Sequence, residues 1–374
     1  MATFLKANQL GTHGARTMPG RNYTSPEIHA REMDRIFQSR WLCAGRLSEL
    51  GKTGDFITRT IGAESIIITR DEAGKVRAFY NVCRHRGTRM CEQERGTFEG
   101  GEITCPYHAW SYALDGHCVA APHMAGLDDF DKKDYPLHAV PTAEWEGFVF
   151  INLARNPEPF EKAWAPLMGR FDRFRLPQLK LHRRIEYDIA ANWKLIHQNY
   201  SECYHCSMVH PQLVKLTPPT SGENDLFDGP FLGGFMEITQ PGGSLTVSGR
   251  MCGIPLTDTP ADAKQQAWYY SIFPNLLFSL LPDYALIHTL WPVAPGKTKL
   301  ICEWLFHPET AASGKFNMDD AVDFWDEVNR QDWHVSELSQ LGVASKAYGP
   351  SPYAPREGLA VQFDREVQRA LGES

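Results

Sequence analysis

Cys83-x-His85 and, further on, Cys105-x-x-His108 place two thiols and two imidazoles in paired short motifs. Such a set can hold one metal centre. A [2Fe–2S] cluster with two cysteines on one iron and two histidines on the other needs this mixture, and the imidazoles raise its reduction potential above that of an all-cysteine cluster. A structural zinc also accepts two Cys and two His, but zinc sites usually pair like with like inside each short motif. Here each short motif carries one of each, which favours the cluster. Gly87 and Pro106 provide the backbone bends of the two loops.

A second constellation lies in Asn199-Tyr-Ser-Glu202-Cys-Tyr-His205-Cys-Ser-Met-Val-His210-Pro211. Asn199, Glu202 and His205 recur every third residue, which on an α-helix lines them along one face. His210 can meet His205 on one ion only if the helix ends or widens between them, and Pro211 is consistent with such an ending. Two converging neutral imidazoles make a metal site; the bland alternative is two unrelated histidines on a helix.

A mononuclear iron with open positions for oxygen calls for a carboxylate as third ligand. Between Asp319 and Leu341, Ala321, Trp325, Val328 and Val335 form an apolar stripe at helical spacing, and Asp332 falls on it. A carboxylate on a buried face is costly unless a cation neutralises it. Asp332 is therefore the expected iron carboxylate beside His205 and His210, the alternative being a capping or Arg-paired acid. Asp323, Asp326, Glu327 and Glu337 lie off the stripe and read as solvated.

These residues need a scaffold, and 374 residues can bury two cores. A net charge of −7 argues against nucleic acid or an acidic membrane surface as partner. No apolar run approaches a membrane span, no signal peptide opens the chain, and nine cysteines suggest a reducing compartment. A soluble, cytoplasmic chain is expected. The cysteines outside the cluster motifs read mostly as small buried hydrophobes.

Residues 26–40 read as an amphipathic helix started by Ser25-Pro26. From Asp55 the pattern turns to strands at 56–58, 65–69 and 76–80, with a turn at 71–74, and further strands at 111–114, 117–119 and 147–153. A polar, Pro-rich stretch after residue 155 marks a boundary. The expected organisation is an N-terminal helix region (1–40) packing on the catalytic domain, an all-β domain (41–155), and a domain of strands and helices (156–374).

CRHRG at 83–87 and CPYHAW at 105–110 resemble the signature of the Rieske domain in Rieske-type non-heme iron oxygenases. Asn-x-x-acid-x-x-His-x4-His at 199–210 is similar to the mononuclear iron motif of their catalytic (alpha) subunit, and Asn329-Arg-Gln-Asp332 to the segment donating the carboxylate. The resemblance implies an α+β fold: an N-terminal all-β Rieske domain plus an α/β helix-grip-like catalytic domain with an antiparallel sheet. It implies a Rieske [2Fe–2S] cluster on Cys83, His85, Cys105 and His108, and a mononuclear Fe(II) on His205, His210 and Asp332. O2 would be co-substrate. Head-to-tail homotrimers are implied, in which one subunit's cluster serves its neighbour's iron and Glu202, with Asn199 beside it, links the two. Most members carry Asp at that bridging position. Glu202 resembles the subgroup acting on quaternary ammonium compounds, namely carnitine, glycine betaine and stachydrine oxygenases.

The expected reaction is hydroxylation of a substrate C–H, most simply N-demethylation of a compound such as glycine betaine with release of formaldehyde. Electrons from NAD(P)H must arrive through a separate flavin and iron–sulfur reductase, since no Gly-x-Gly-x-x-Gly follows a strand. Two alternatives stand: an aromatic-ring hydroxylating dioxygenase alpha subunit, and a Rieske electron carrier without oxygenase activity. Trp268, Tyr269, Tyr270, Phe231, Phe235 and Trp291 are available for cation–π contact with a methylammonium, and Arg250 for a substrate carboxylate.

Overall fold

A computed structural model describes residues 3–124, 126–260 and 264–373. They form two compact units, Phe37–Ala163 and Met1–Ile36 together with Trp164–Ser374.

The first unit is built from short antiparallel strands. Five run in the order Arg95–Thr97, Asp55–Ile61, Glu64–Arg70, Val76–Tyr80, Ala139–Val140. The central strand carries Ile66, Ile67 and Ile68, all buried, as a β-branched run covered on both faces should be. The turn at 71–74 is held by Asp71, which accepts from Lys75 N–H at 2.8 Å and Arg77 Nε at 2.7 Å. A three-stranded sheet of Glu102–Thr104, Ser111–Ala113 and Cys118–Ala120 supports the second ligand loop. Another pairs Leu42–Arg46, Phe148–Ile151 and Thr142–Trp145. The Pro-rich stretch after 155 stays with this unit instead of leaving it. Trp41 explains why: its indole N–H donates to Glu158 O at 2.9 Å and its ring packs edge-on against Phe160.

The second unit carries a seven-stranded, wholly antiparallel sheet in the order Lys180–Ile189, Lys297–Phe306, Tyr284–Ala294, Leu276–Leu280, Gln266–Ile272, Phe231–Glu237, Glu223–Asp228. The long helix Asp319–Val343 packs on it, so Val328 and Trp333 share one core with Leu286, Leu300 and Trp304. The mixed helix and antiparallel-sheet architecture matches the expected α+β class. The helix expected at 26–40 is shorter: Ser25 Oγ caps it at Ile28 N–H (3.2 Å), it is α-helical over Pro26–Glu32, and it passes into a π-helical turn. Its last residue is an anchor. The buried Glu32 accepts from Trp193 Nε1 at 2.9 Å and pairs with the fully buried Lys194, fixing the helix Trp193–Tyr200 that leads to the second constellation. Asp326 and Glu337 are not simply solvated, as expected of them. Asp326 accepts from Tyr187 OH at 2.6 Å and Glu337 from Ala190 N–H at 2.9 Å, so both tie the long helix to the strand Lys180–Ile189 and the residue after it. Among the described residues no helix is long and apolar enough to cross a membrane.

Candidate functional site

Asn199, Glu202 and His205 do not share a helical face. The helix ends at Tyr200, where Ser201 donates both its N–H (3.0 Å) and its hydroxyl (2.6 Å) to His197 O. A serine side chain that caps its own turn competes with further helix, and propensity alone does not reveal it. Glu202 then holds the following turn, its Oε2 accepting from the N–H groups of Tyr204 and His205. Cys203 and Cys206 close the same turn with a disulfide. The reading of the remaining cysteines as small buried residues fits Cys43, Cys91, Cys118, Cys252 and Cys302 but not this pair. The short helix Cys206–Val209 stops at His210, whose φ of −123° and ψ of 64° are what a residue before proline tolerates. The chain thus breaks twice, and both breaks let His205 and His210 turn toward one point.

That point is shared with Asp332. Its Oδ1 lies 3.2 Å from His205 Nε2 and 2.8 Å from His210 Nε2, and one ligand atom from each residue falls within 4.8 Å of the others. The opposite ring nitrogens are committed elsewhere. His205 Nδ1 lies 2.7 Å from Glu202 Oε1, and His210 Nδ1 lies 2.7 Å from Gln331 Oε1. Both partners are acceptors, so each ring keeps its proton on Nδ1 and turns a bare Nε2 inward. Two lone pairs and a carboxylate oxygen then face one another, an arrangement that requires a cation. Two neutral imidazoles and one carboxylate are the donors of a 2-His-1-carboxylate ferrous site, so the residues fit that ion. The electrostatics show the same demand for positive charge. Despite burial, Asp332 and Glu202 lift the His205 pKa to about 10, so in the absence of an ion a second proton takes the Nε2 position that an ion would otherwise hold. Burial would raise Asp332, yet the two histidines hold it below the usual carboxylate range. Asn199 Nδ2 approaches His205 Nε2 at 3.5 Å, the limit of a hydrogen bond.

The first constellation also comes together, in the other unit. The two ligand loops are conformationally alike. Cys83 O accepts from Gly87 N–H at 3.0 Å and Cys105 O from Ala109 N–H at 3.1 Å; Cys83 N–H donates to Thr88 O and Cys105 N–H to Trp110 O. Gly87 (φ 74°) and Ala109 (φ 55°) are left-handed, a conformation that glycine adopts freely and that alanine holds only under constraint. Cys83 and Cys105 are buried at the base, while the rings of His85 and His108 stand 4.8 Å apart nearer the surface. Tyr112 OH reaches Cys83 Sγ at 3.4 Å and accepts from Arg84 N–H at 3.0 Å, and Trp110 stacks on His85. Two buried thiols beneath two more exposed imidazoles fit a mixed-ligand [2Fe–2S] cluster, with Tyr112 placed to tune it. Burial raises the Cys83 thiol pKa, so deprotonation there is favoured only with a cation present.

A cavity of about 310 Å³ adjoins Glu202, His205, His210 and Asp332. Of the aromatic residues expected there, Trp268 and Tyr269 line it; Tyr270, Phe231, Phe235 and Trp291 pack in the core. Trp268 already carries the Arg173 guanidinium 4.2 Å above its ring centre. Tyr200 and Trp325 line the cavity too, and sequence spacing did not single them out as pocket residues. Their polar tips are used: Tyr200 OH donates to Phe278 O at 2.6 Å, Trp325 Nε1 to Tyr284 OH at 2.6 Å, and Tyr269 OH to Asn224 Oδ1 at 2.8 Å. What they can offer a ligand is ring surface. Arg250 is absent from the wall, and Lys6 and Arg356 stand in its place. The segments bearing these two cations abut, since a Cβ on Gly358 would meet Ala7 O at 2.6 Å. Residues 6 and 356 lie at opposite ends of the sequence, and no local signal pairs them.

Comparison with known proteins bears on both constellations. Residues 176–373 match the family described as ring hydroxylating alpha subunit (catalytic domain), and residues 40–131 match the Rieske [2Fe–2S] domain. The glycine betaine monooxygenase oxygenase subunit of Pseudomonas aeruginosa (strain UCBPP-PA14) is 29% identical over 375 residues, covering 90% of this chain and 85% of the relative. The carnitine monooxygenase oxygenase subunit of Escherichia coli (strain K12) is 39% identical over 200 residues, covering 53% of each chain. A solved quaternary ammonium Rieske monooxygenase superposes with a TM-score of 0.83 at 25% identity, covering 99% of this chain and 100% of the other.

Proposed function

The chain belongs to the ring-hydroxylating alpha subunits, the Rieske non-heme iron oxygenases, and on that premise we propose that it N-demethylates a small quaternary ammonium compound bearing a carboxylate, such as glycine betaine. The observation that carries this reading is the cavity wall. Among the described residues neither Lys6 nor Arg356 forms an ion pair, and both stand on one wall of a space whose other residues include Tyr200, Tyr269 and Trp325. A betaine offers a carboxylate for the first pair and a methylammonium for the aromatic rings, each such contact contributing roughly 0.5–2 kcal/mol. About 310 Å³ is at the small end of ligand cavities, which run from ~300 to ~1,000 Å³, and suits a compact aliphatic substrate better than a fused arene.

The overall change balances in two stages. The N-methyl group, dioxygen, two electrons and two protons give an N-hydroxymethyl ammonium and one water. The carbinol then loses its hydroxyl proton, its C–N bond breaks, and the electron pair returns to nitrogen, leaving the tertiary amine and formaldehyde. The [2Fe–2S] cluster and the Fe(II), when bound, supply the electrons and the oxygen activation. The protein supplies the rest. His205, His210 and Asp332 would hold the ferrous ion, and Cys83, Cys105, His85 and His108 the cluster. Glu202 holds His205 in one tautomer and one orientation. Lys6, Arg356 and the aromatic wall would orient the substrate so that one methyl group faces the ion. Head-to-tail trimers, with Glu202 linking one subunit's cluster to its neighbour's iron and Asn199 beside it, belong to the same reading. A separate reductase delivers the electrons.

The test is formaldehyde release with purified protein, a surrogate reductase and a panel of ammonium compounds with and without a carboxylate. Betaines are expected to yield formaldehyde at kcat/KM at least tenfold above choline-like alcohols. Turnover of an arene with none of any ammonium compound would instead favour the ring dioxygenase.

A further inference from the structure

The two imidazoles of the metal site are held by different chemistry. His205 Nδ1 faces a carboxylate, Glu202, while His210 Nδ1 faces a neutral amide, Gln331, both at 2.7 Å. We infer that Gln331 is the positioning residue for His210: its side-chain oxygen accepts a hydrogen bond from Nδ1–H, keeps Nε2 bare toward Asp332, and does so without adding charge. The inference rests on reading His205, His210 and Asp332 as the ion's ligands.

The amide of Gln331 is itself oriented by two neighbours. Gln212 Nε2 donates to the same Gln331 oxygen at 2.8 Å, and Gln331 Nε2 donates to Glu327 Oε1 at 3.4 Å. Rotating the amide by half a turn would set its NH2 against the NH2 of Gln212 and the N–H of His210, and its oxygen against the Glu327 carboxylate. All three neighbours therefore select one orientation. His210 is buried to the point where water cannot replace a missing acceptor, so a lost partner leaves its Nδ1 proton unsatisfied or lets the ring turn over. The first costs the stability of a buried, unpaired donor; the second turns Nε2 away from Asp332 and removes the ligand atom.

Position sets the affinity; neutrality sets the electronic character of the ligand. Asp332 and Glu202 contribute two negative charges, which a ferrous ion balances. A third carboxylate at position 331 would leave a net negative charge among buried groups and make His210 a stronger donor. The structure thus assigns unequal roles to the two histidines, one electron-rich and one close to free imidazole.

The experiment compares wild type, Gln331→Leu and Gln331→Glu in the full chain with its cluster intact. Fe(II) affinity is measured by chelator competition, and the ferrous–nitrosyl EPR signal of the mononuclear site is recorded. Gln331→Leu is expected to weaken Fe(II) binding roughly 10- to 100-fold and to broaden the nitrosyl signal, with the cluster's visible spectrum unchanged. Gln331→Glu, which restores an acceptor, is expected to recover affinity while shifting the nitrosyl signal away from wild type. Wild-type affinity and signal in Gln331→Leu would overturn the inference alone. If Gln331→Leu unfolds, Gln331→Glu decides, and a wild-type signal there would overturn the electronic part. Wild-type Fe(II) binding in His210→Ala would instead defeat the reading of the site beneath it.

Discussion

Asp332 and His210 meet through two acceptors: Oδ1 and Nε2 stand 2.8 Å apart while the remaining nitrogen of His210 lies 2.7 Å from Gln331. His205 presents the same problem to the same oxygen at 3.2 Å. Protons could relieve these contacts only by charging both rings, whereas one cation with several open positions satisfies all three groups together.

Removing one of the three should therefore cost the ion and nothing else. His205→Ala is predicted to lower iron from about three atoms per chain to about two, while the visible spectrum of the [2Fe–2S] cluster and its labile sulfide persist. Elemental analysis with optical spectroscopy checks this. Simultaneous loss of both centres would mean that the ligand sets have been divided wrongly.

Glu202 spans two jobs, capping the N–H groups of Tyr204 and His205 and facing His205 Nδ1. Aspartate is one methylene shorter and cannot keep both contacts with the turn as it stands. Turnover per bound iron in Glu202→Asp is expected to fall tenfold or more, with iron content close to wild type. Undiminished turnover would show that this reach is irrelevant.

If Arg356 recognises a carboxylate, Arg356→Leu should raise KM for glycine betaine roughly tenfold, equivalent to about 1.4 kcal/mol, and Lys6→Ala should add to it. A choline-like substrate, lacking the carboxylate, should show no matching rise. Steady-state kinetics on both substrates separates recognition of charge from general damage.

His197 gives a pH signature unrelated to the metal. Its ring is fully buried, stacked on Phe363, with Nδ1 at 3.0 Å from Ser271 Oγ and Nε2 at 2.9 Å from Pro274 O, and burial drops its pKa from 6.5 to about 3. The unfolded chain gains a proton below pH 6.5 that the folded ring refuses. The stability this histidine contributes is complete above pH 6.5 and is lost as pH falls toward 3, by about 1.4 kcal/mol per pH unit. Denaturant unfolding from pH 6.5 to 4.5 should show a shallower loss in His197→Gln. Parallel slopes would contradict the assignment.

Short-range chemistry was the most legible part of the sequence. Cys83 with His85 and Cys105 with His108 each lie within one tight loop, so spacing alone identified the two pairs. Asp332 stood out because a carboxylate interrupted an apolar stripe, and the helix carrying it is observed over Asp319–Val343. Periodicity misled between Tyr200 and His205, where the Glu202 carboxylate takes the Tyr204 and His205 N–H groups that further helix would have used. Gln331 looked like any polar residue beside a ligand, and Lys6 and Arg356 meet only through tertiary structure. Asp326 and Glu337 read as solvated because their partners, Tyr187 OH and Ala190 N–H, lie more than a hundred residues away along the chain. Side chains whose partners are distant in sequence leave no periodic trace.

A single turnover without any reductase probes the coupling of the two centres. Protein with its cluster chemically reduced and its mononuclear site loaded with Fe(II) is mixed with glycine betaine and oxygenated buffer, while cluster reoxidation and formaldehyde are followed together. Betaine-dependent reoxidation in step with formaldehyde is predicted, with neither occurring in Asp332→Ala. Reoxidation indifferent to substrate, or formaldehyde formed with the cluster still reduced, would contradict the coupling on which the proposed function depends.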